Sequence, residues 1–95
     1  MYRIVLTPEA SDDFEELRNY IAERSSRRTA DRYLRRLRRF YEGLAIAPHR
    51  GQTSSSDRPE IRSMGFERRI RIVFFISDEE RTVEILGLYY AGKQP

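Results

Sequence analysis

The chain predicts an α+β fold in the order β-α-α-β-β-β, a helical hairpin packed on one face of a small antiparallel sheet. Two consecutive segments repeat apolar residues at helical spacing, and three later segments are rich in β-branched and aromatic residues. A short β-rich run precedes them all. Because the connections are short, the two helices should fold back on each other and the last strands should pair antiparallel. The helices then share one sheet face. At 95 residues, with no internal repeat and no long linker, residues 1–95 form a single domain. Such a chain builds one modest core and leaves no room for a deep enclosed active site.

Residues 2 to 7 alternate weakly as a strand, and Thr7-Pro8-Glu9 then supplies an N-cap, a proline at the first helical position and an early acid. In the first helix Phe14, Leu17, Tyr20 and Ile21 mark the apolar face, while Asp12, Asp13, Glu15, Glu16 and Arg18 take the other. It should end between Arg24 and Ser26. The second helix begins between Arg27 and Ala30 and carries Ala30, Tyr33, Leu34, Leu37, Phe40, Tyr41 and Leu44 on its apolar side. Pro48 ends it, and His49 to Asp57 reads as a polar loop. Strand candidates follow at Glu60 to Met64, Arg68 to Ser77 and Thr82 to Ala91, with Asp78-Glu79-Glu80-Arg81 as a hairpin connection.

The formal charge is +3, yet all but one of the 18 basic residues are Arg. Arginine's planar fork suits phosphate and carboxylate recognition, so an acidic partner is one reading of this ratio; a GC-rich codon bias is the other. Absent cysteine excludes disulfides and thiol chemistry. The N-terminal apolar run is too short for a signal sequence and nothing approaches a membrane span, which predicts a soluble, cytoplasmic protein without membrane contact. The single His49 has no second His or Cys to complete a metal site, so no metal and no cofactor are expected.

The remaining chemistry lies in arginines and two late tyrosines. In the run Arg68 to Ser77, Arg69 and Arg71 alternate with Ile70, Ile72, Phe74 and Ile76, placing the arginines on one sheet face and a wholly apolar set against the helices. With Arg62 from the preceding strand they either form an anion-reading surface or are ordinary solvent-facing residues. Of Tyr89 and Tyr90, one points inward and the other outward, and Lys93 follows them. Arg28, Arg32, Arg35, Arg36, Arg38 and Arg39 form a solvent-facing stripe on the second helix that acids of the first helix would partly neutralise. The paired acids surround no evident cleft and do not suggest glycoside-type hydrolysis.

The order and spacing of six segments add a resemblance that covers nearly the whole chain. They are Leu6-Thr7-Pro8-Glu9-Ala10 with Phe14 and Leu17, Tyr20-Ile21-Ala22-Glu23-Arg24, Ala47-Pro48-His49-Arg50-Gly51, Arg58-Pro59-Glu60-Ile61-Arg62-Ser63, Arg71-Ile72-Val73-Phe74 and Leu88-Tyr89-Tyr90-Ala91-Gly92-Lys93. Together they resemble the ParE branch of the RelE/ParE toxins of bacterial type II toxin-antitoxin systems. The resemblance implies a ParD-like antitoxin whose C-terminal segment wraps the toxin in a hetero-oligomer. Leu17, Tyr20, Ile21, Tyr33, Leu37 and Tyr41 are the antitoxin-binding candidates where they are not core, since apolar helix faces beside a sheet edge suit a helical or extended peptide.

The family divides by activity. ParE-like members poison DNA gyrase without a catalytic centre of their own, and on that reading Arg62, Arg69, Arg71, Tyr89 and Lys93 are the target-binding candidates. RelE-like members cut messenger RNA on the ribosome without a metal, and there Arg71, Tyr90 and Lys93 would be catalytic. The sequence, read to Pro95, has no C-terminal helical extension of the kind that carries the RelE-branch tyrosine. In place of that branch's lysine cluster it has Arg58, Arg62, Arg68 and Arg69. These departures favour the ParE reading; an inactive homologue that serves only as antitoxin partner and co-repressor is the third.

Overall fold

A computed structural model describes residues 1–53 and 57–91 of the chain. Strand β1 (Arg3–Leu6) leads into α1 (Pro8–Arg24) and α2 (Arg27–Glu42), followed by a 3-10 turn (Gly43–Ala45). Strands β2 (Gln52–Thr53), β3 (Ile61–Phe66), β4 (Ile70–Ser77) and β5 (Thr82–Tyr89) complete one five-stranded sheet in the order β1-β5-β4-β3-β2. Two helices packed on one face of a sheet confirm the α+β architecture.

The sheet is mixed rather than wholly antiparallel. Arg3 to Leu6 run parallel to Thr82 to Ile85, whereas the other three pairings are antiparallel. The helical hairpin separates β1 from every other strand, so no tight turn dictates its direction, and it takes the free side of the last strand. Strand β2 is also an addition, arising inside the segment expected to be loop. Gly51 (φ 77°) makes it feasible: a Cβ there would lie 2.3 Å from the Ser63 carbonyl oxygen, so only glycine lets the chain approach β3 this closely.

Both helices start as their sequences dictate. Thr7 Oγ1 accepts from the Ala10 N–H (3.1 Å) while its hydroxyl donates to the Ile85 carbonyl (3.1 Å), so one side chain caps α1 and ties it to β5. Ser26 caps α2 by accepting from the Thr29 N–H at 3.0 Å. α2 stops at Glu42, short of Pro48, because the backbone tightens around Gly43, whose carbonyl accepts from Ile46 and Ala47 N–H groups. That tightening brings the Ala45 carbonyl to the Tyr2 N–H at 2.8 Å.

The core lies between helices and sheet. Ile70, Ile72, Phe74 and Ile76 of β4 are all buried, as the alternation requires, and meet Leu17, Leu37, Leu44, Val83, Ile85 and Leu88. Each such side chain contributes about 1.5–3 kcal/mol on full burial. Phe14 stacks on Tyr41 between the helices, and Tyr33 and Phe40 pack on Phe66.

Two local irregularities matter for function. The β3–β4 connection is a turn in which Glu67 (φ 51°) and Arg68 (φ 61°) are both left-handed, closed by the Arg69 N–H donating to the Phe66 carbonyl (3.1 Å). β3 therefore runs on to Phe66, and Arg69 is a turn residue rather than part of the strand. In β5 the register slips, with Phe74 opposite Ile85 but Val73 opposite Gly87, leaving Leu86 as the extra residue of a bulge.

Asp13, expected among the solvent-facing acids of α1, instead reaches this bulge. β1 ends opposite Ile85, so the next part of β5 lacks a strand neighbour on that side, and the Asp13 carboxylate accepts the Leu88 N–H at 3.0 Å. A Cβ on Gly87 would sit 2.9 Å from the same carboxylate oxygen. Asp13→Ala removes the acceptor from a part-buried amide and should lower the unfolding free energy in urea by about 1–3 kcal/mol. Gly87→Ala should shift the midpoint in the same direction by pushing the carboxylate away. Unchanged midpoints in both variants would show that the contact does not hold β5 to α1.

Candidate functional site

The expected arginine surface divides into three places. Arg71 stands opposite Gly65 and Tyr89 on the sheet face away from the helices. Its Nε donates to Ser63 Oγ at 3.1 Å, and its guanidinium passes within 3.4 Å of the point a Cβ on Gly65 would occupy. Glycine thus gives the guanidinium room to lie across β3. Tyr89 is half-buried beside it, so the outer face pairs one fixed guanidinium with one phenol.

Arg62 is not on that face. It pairs with Phe74, whose side chain is in the core, so its own side chain emerges on the helix side beyond the helices' cover. Its guanidinium donates to the Arg50 and Gly51 carbonyls (both 3.5 Å). It lines a small cleft of about 280 Å³ with His49, Glu60, Ile76 and Asp78. There Asp78 accepts from the Tyr2 hydroxyl (2.6 Å) and contacts His49 Nε2 (3.0 Å), joining the chain's start, the loop after α2 and the β4–β5 turn. The tyrosine hydrogen bond holds the Asp78 carboxyl below the ordinary aspartate range and raises the Tyr2 phenol.

Arg69 borders the third place, a groove of about 660 Å³ between the helices and the β3–β4 turn. Leu17, Ile21 and Ile70 give it an apolar base, Tyr20, Tyr33 and Tyr90 its walls, and Arg24, Arg68 and Arg69 a basic rim. The Tyr20 ring meets Tyr90 edge-on at 5.4 Å, and the Arg24 guanidinium lies 3.6 Å over it as a cation–π pair. Burial pushes the Tyr33 phenol up, and its hydroxyl has no hydrogen-bond partner among the described residues.

The six antitoxin-binding candidates therefore sort by geometry. Leu37 and Tyr41 are buried in the core, because their positions on α2 point at the sheet and at α1. Leu17 is 2% exposed and serves the core as well as the groove base. Tyr20, Ile21 and Tyr33 are only partly buried and open into the groove. Tyr90 turns inward to the groove while Arg71 faces outward, so the two do not converge on one reaction centre. Lys93 lies outside the described residues. Sequence reasoning missed Tyr2 and Asp78 as partners of His49, since they come from distant segments and no local pattern links them. It missed the groove rim at Arg24 and Arg68 because the left-handed turn that presents Arg68 carries no glycine.

Among the described residues no group of His, Asp and Glu is placed to hold a metal ion, and no helix is long and apolar enough to cross a membrane. The geometry defines a small α+β scaffold with three separate surfaces: the Arg71–Tyr89 face, the cleft at Asp78 and the apolar groove with its basic rim. Residues 4–95 match the family model of the ParE toxin of type II toxin-antitoxin system, parDE, and the chain belongs to that family. No curated protein matches the sequence.

Solved structures agree on the fold. The chromosomal ParDE system of P. aeruginosa superposes with a TM-score of 0.78 at 16% identity, covering 95% of this chain and 96% of that one. A RelBE toxin-antitoxin complex of Mycobacterium tuberculosis gives 0.71 at 23% identity (94% and 96% covered). The intact E. coli RelBE complex gives 0.69 at 14% (96% and 98% covered).

Hydrogen-bonded carboxylates around these surfaces give stability a modest dependence on acid. Arg18 holds Asp31, Arg36 holds Glu67 and Arg58 holds Glu60 below their ordinary values of 3.8, 4.5 and 4.5, as Tyr2 does Asp78. A carboxylate with a depressed folded pKa stabilises fully above its unfolded value and loses that contribution as pH falls through the folded one. The melting temperature should therefore be flat from neutrality to about pH 5 and fall progressively below about pH 4.5. Asp31→Asn should blunt the fall only slightly, because each pair is solvent-screened. A melting temperature that rises on acidification from pH 5 to 3 would contradict this.

Proposed function

We propose that the chain is a ParE-like toxin that acts by binding DNA gyrase, and that a ParD-like antitoxin neutralises it in a hetero-oligomer. The match to the ParE toxin family carries the first half of this reading, and the placement of Tyr90 removes one of the residues a RelE-like centre would use. A metal-independent ribonuclease needs a group that moves a proton within reach of the cation that holds the phosphate. Here Tyr90 is 9% exposed on the helix side of the sheet, while Arg71 is on the outer face. Tyr89 is the phenol that stands beside Arg71, a pair suited to a phosphate as well as to a protein surface, in which Arg and Tyr are favoured residues.

The groove supports the second half. Its apolar base and arginine rim suit a peptide segment that seats one or two apolar side chains with Asp or Glu beside them. Two of the structures with this fold are toxin-antitoxin complexes, which fits a protein partner for this face.

Incubating purified protein with gyrase and plasmid DNA should abolish supercoiling and trap cleaved DNA. Arg71→Ala should weaken this by about tenfold or more, one charge-assisted contact being worth about 1.5–3 kcal/mol. Intact gyrase activity alongside cut ribosome-bound messenger would establish the RelE-like alternative, and unimpaired growth on expression without a partner would leave only the co-repressor role.

The antitoxin site is tested separately. Arg69→Glu, at the exposed turn, should weaken binding of the antitoxin by about 10- to 100-fold, the scale of one rim charge reversed against an acidic segment. Growth inhibition should survive that substitution and no longer be relieved by co-expressed antitoxin. Unchanged affinity would move the antitoxin off this groove.

A further inference from the structure

Seven arginines on α2 do not share one role. Arg36 makes a two-pronged pair with Glu67 (3.0 and 3.1 Å) and Arg38 pairs with Glu42 (3.0 Å). Arg28, Arg32, Arg35 and Arg39 are all exposed, and none makes a hydrogen bond or salt bridge among the described residues. Their four-three-four spacing places them, at about 100° per residue, within an arc of about 60°. That arc is opposite Ala30 and Leu37, which are fully buried. They form one straight line about 16 Å long.

The acids of α1 do not neutralise this line. Phe14 and Arg18 are the α1 residues that meet α2, through Tyr41 and Asp31. On the helical wheel that turns Asp12, Glu16 and Glu23 to the side of α1 away from α2 and puts exposed Glu15 on the solvent flank, where it makes no salt bridge to α2 among the described residues. Asp31, the nearest acid on α2, is bonded to Arg18 at 2.7 Å on the α1 side, although its charge is still felt by Arg35. The neighbouring carboxylates are thus turned away or held by other arginines.

We infer that this line is a sequence-independent binding surface for the phosphate backbone of double-stranded DNA. Only arginine occupies the arc, so no aromatic ring is available to stack on bases, which argues against a single strand. No apolar anchor sits among the four, which argues against a protein partner, whose interfaces centre on buried apolar or aromatic residues. The phosphate rows that flank the B-form major groove, about 12 Å wide, are spaced for a line of this length, whereas those of the deep, narrow major groove of duplex RNA are not. A line about 16 Å long lets Arg28 and Arg39 reach the phosphate rows on opposite sides of that groove. This surface is distinct from the apolar groove and from the Arg71 face, and the inference rests on neither assignment.

The test is fluorescence anisotropy of the full chain with a labelled duplex DNA of arbitrary sequence, titrated with salt. Four neutralised phosphates give a slope of log K against log salt of about −3.6. Arg32→Gln/Arg35→Gln should reduce that slope by about 2, and replacing all four arginines by Gln should abolish binding. The charge-matched Arg3→Gln/Arg50→Gln control should keep the wild-type slope. All these positions are exposed, and circular dichroism checks that the variants remain folded. Equal losses in the control and the α2 variants would reduce the effect to net charge and overturn the inference. So would no duplex binding at low salt, tighter binding to single strands or duplex RNA, or a self-association or acidic-peptide contact that alone depends on the four arginines.

Discussion

The structure turns on how β5 is shared between a strand and a helix. β1 pairs with it only as far as Ile85, because the chain must leave the sheet at Thr7 to begin α1. Beyond that point the free side of β5 would expose backbone groups that sheet proteins must satisfy or shield. Thr7, the cap of α1, and Asp13 within it do so, the first through its amide and hydroxyl at the Ile85 carbonyl and the second at the Leu88 amide. The same two contacts fix where α1 sits on the sheet, and α2 follows through Phe14 on Tyr41 and Arg18 on Asp31.

That arrangement decides which tyrosine faces where. Simple alternation from the buried Val83 and Ile85 would bring Gly87 and Tyr89 inward and leave Tyr90 outside. The bulge at Leu86 reverses the parity, so Leu88 and Tyr90 turn inward and Tyr89 joins Arg71 on the outer face. Asp13 stands at this bulge and Gly87 leaves it space. A contact made for backbone satisfaction thereby sets both surfaces: Tyr90 becomes a wall of the groove, and the outer face receives a phenol beside a guanidinium.

The legible part of the sequence was the part written in periodicities. Thr7-Pro8 and Ser26 marked helix starts by local chemistry, and Ile70 to Ile76 declared the buried face of β4 by strict alternation. The parallel pairing of β1 was not legible, since a pairing partner nearly 80 residues away leaves no local trace. Arg62 was misplaced because parity within one strand says nothing about its phase against the next; its register with Phe74 sends it to the opposite face from Arg71. Arg69 was misplaced because the turn residues Glu67 and Arg68 adopt positive φ without the glycine or asparagine that normally announces it. Of the helix candidates, Leu37 and Tyr41 fell to the core because an apolar face wider than the contact with the sheet does not reveal which edge stays open.

The arginine content reads differently once each residue has a place. Arg18, Arg36, Arg38 and Arg58 are held by carboxylates, while Arg62 and Arg71 are braced by carbonyls or a hydroxyl. Such residues are partly immobilised, and a fixed guanidinium gives up less side-chain freedom when a partner docks. Arg71 is in that state and is the better instrument for a specific protein contact. The α2 line and the groove rim residues Arg68 and Arg69 make no ion pair among the described residues, so they offer long-range attraction that needs no fixed geometry. One residue type thus serves two physical purposes in a chain whose net charge is only +3. The separation is made by the fold: carboxylates are brought into ion pairs with the arginines that brace turns and helix contacts, while those that face outward feel nearby acids such as Asp31 and Glu67 only at a distance.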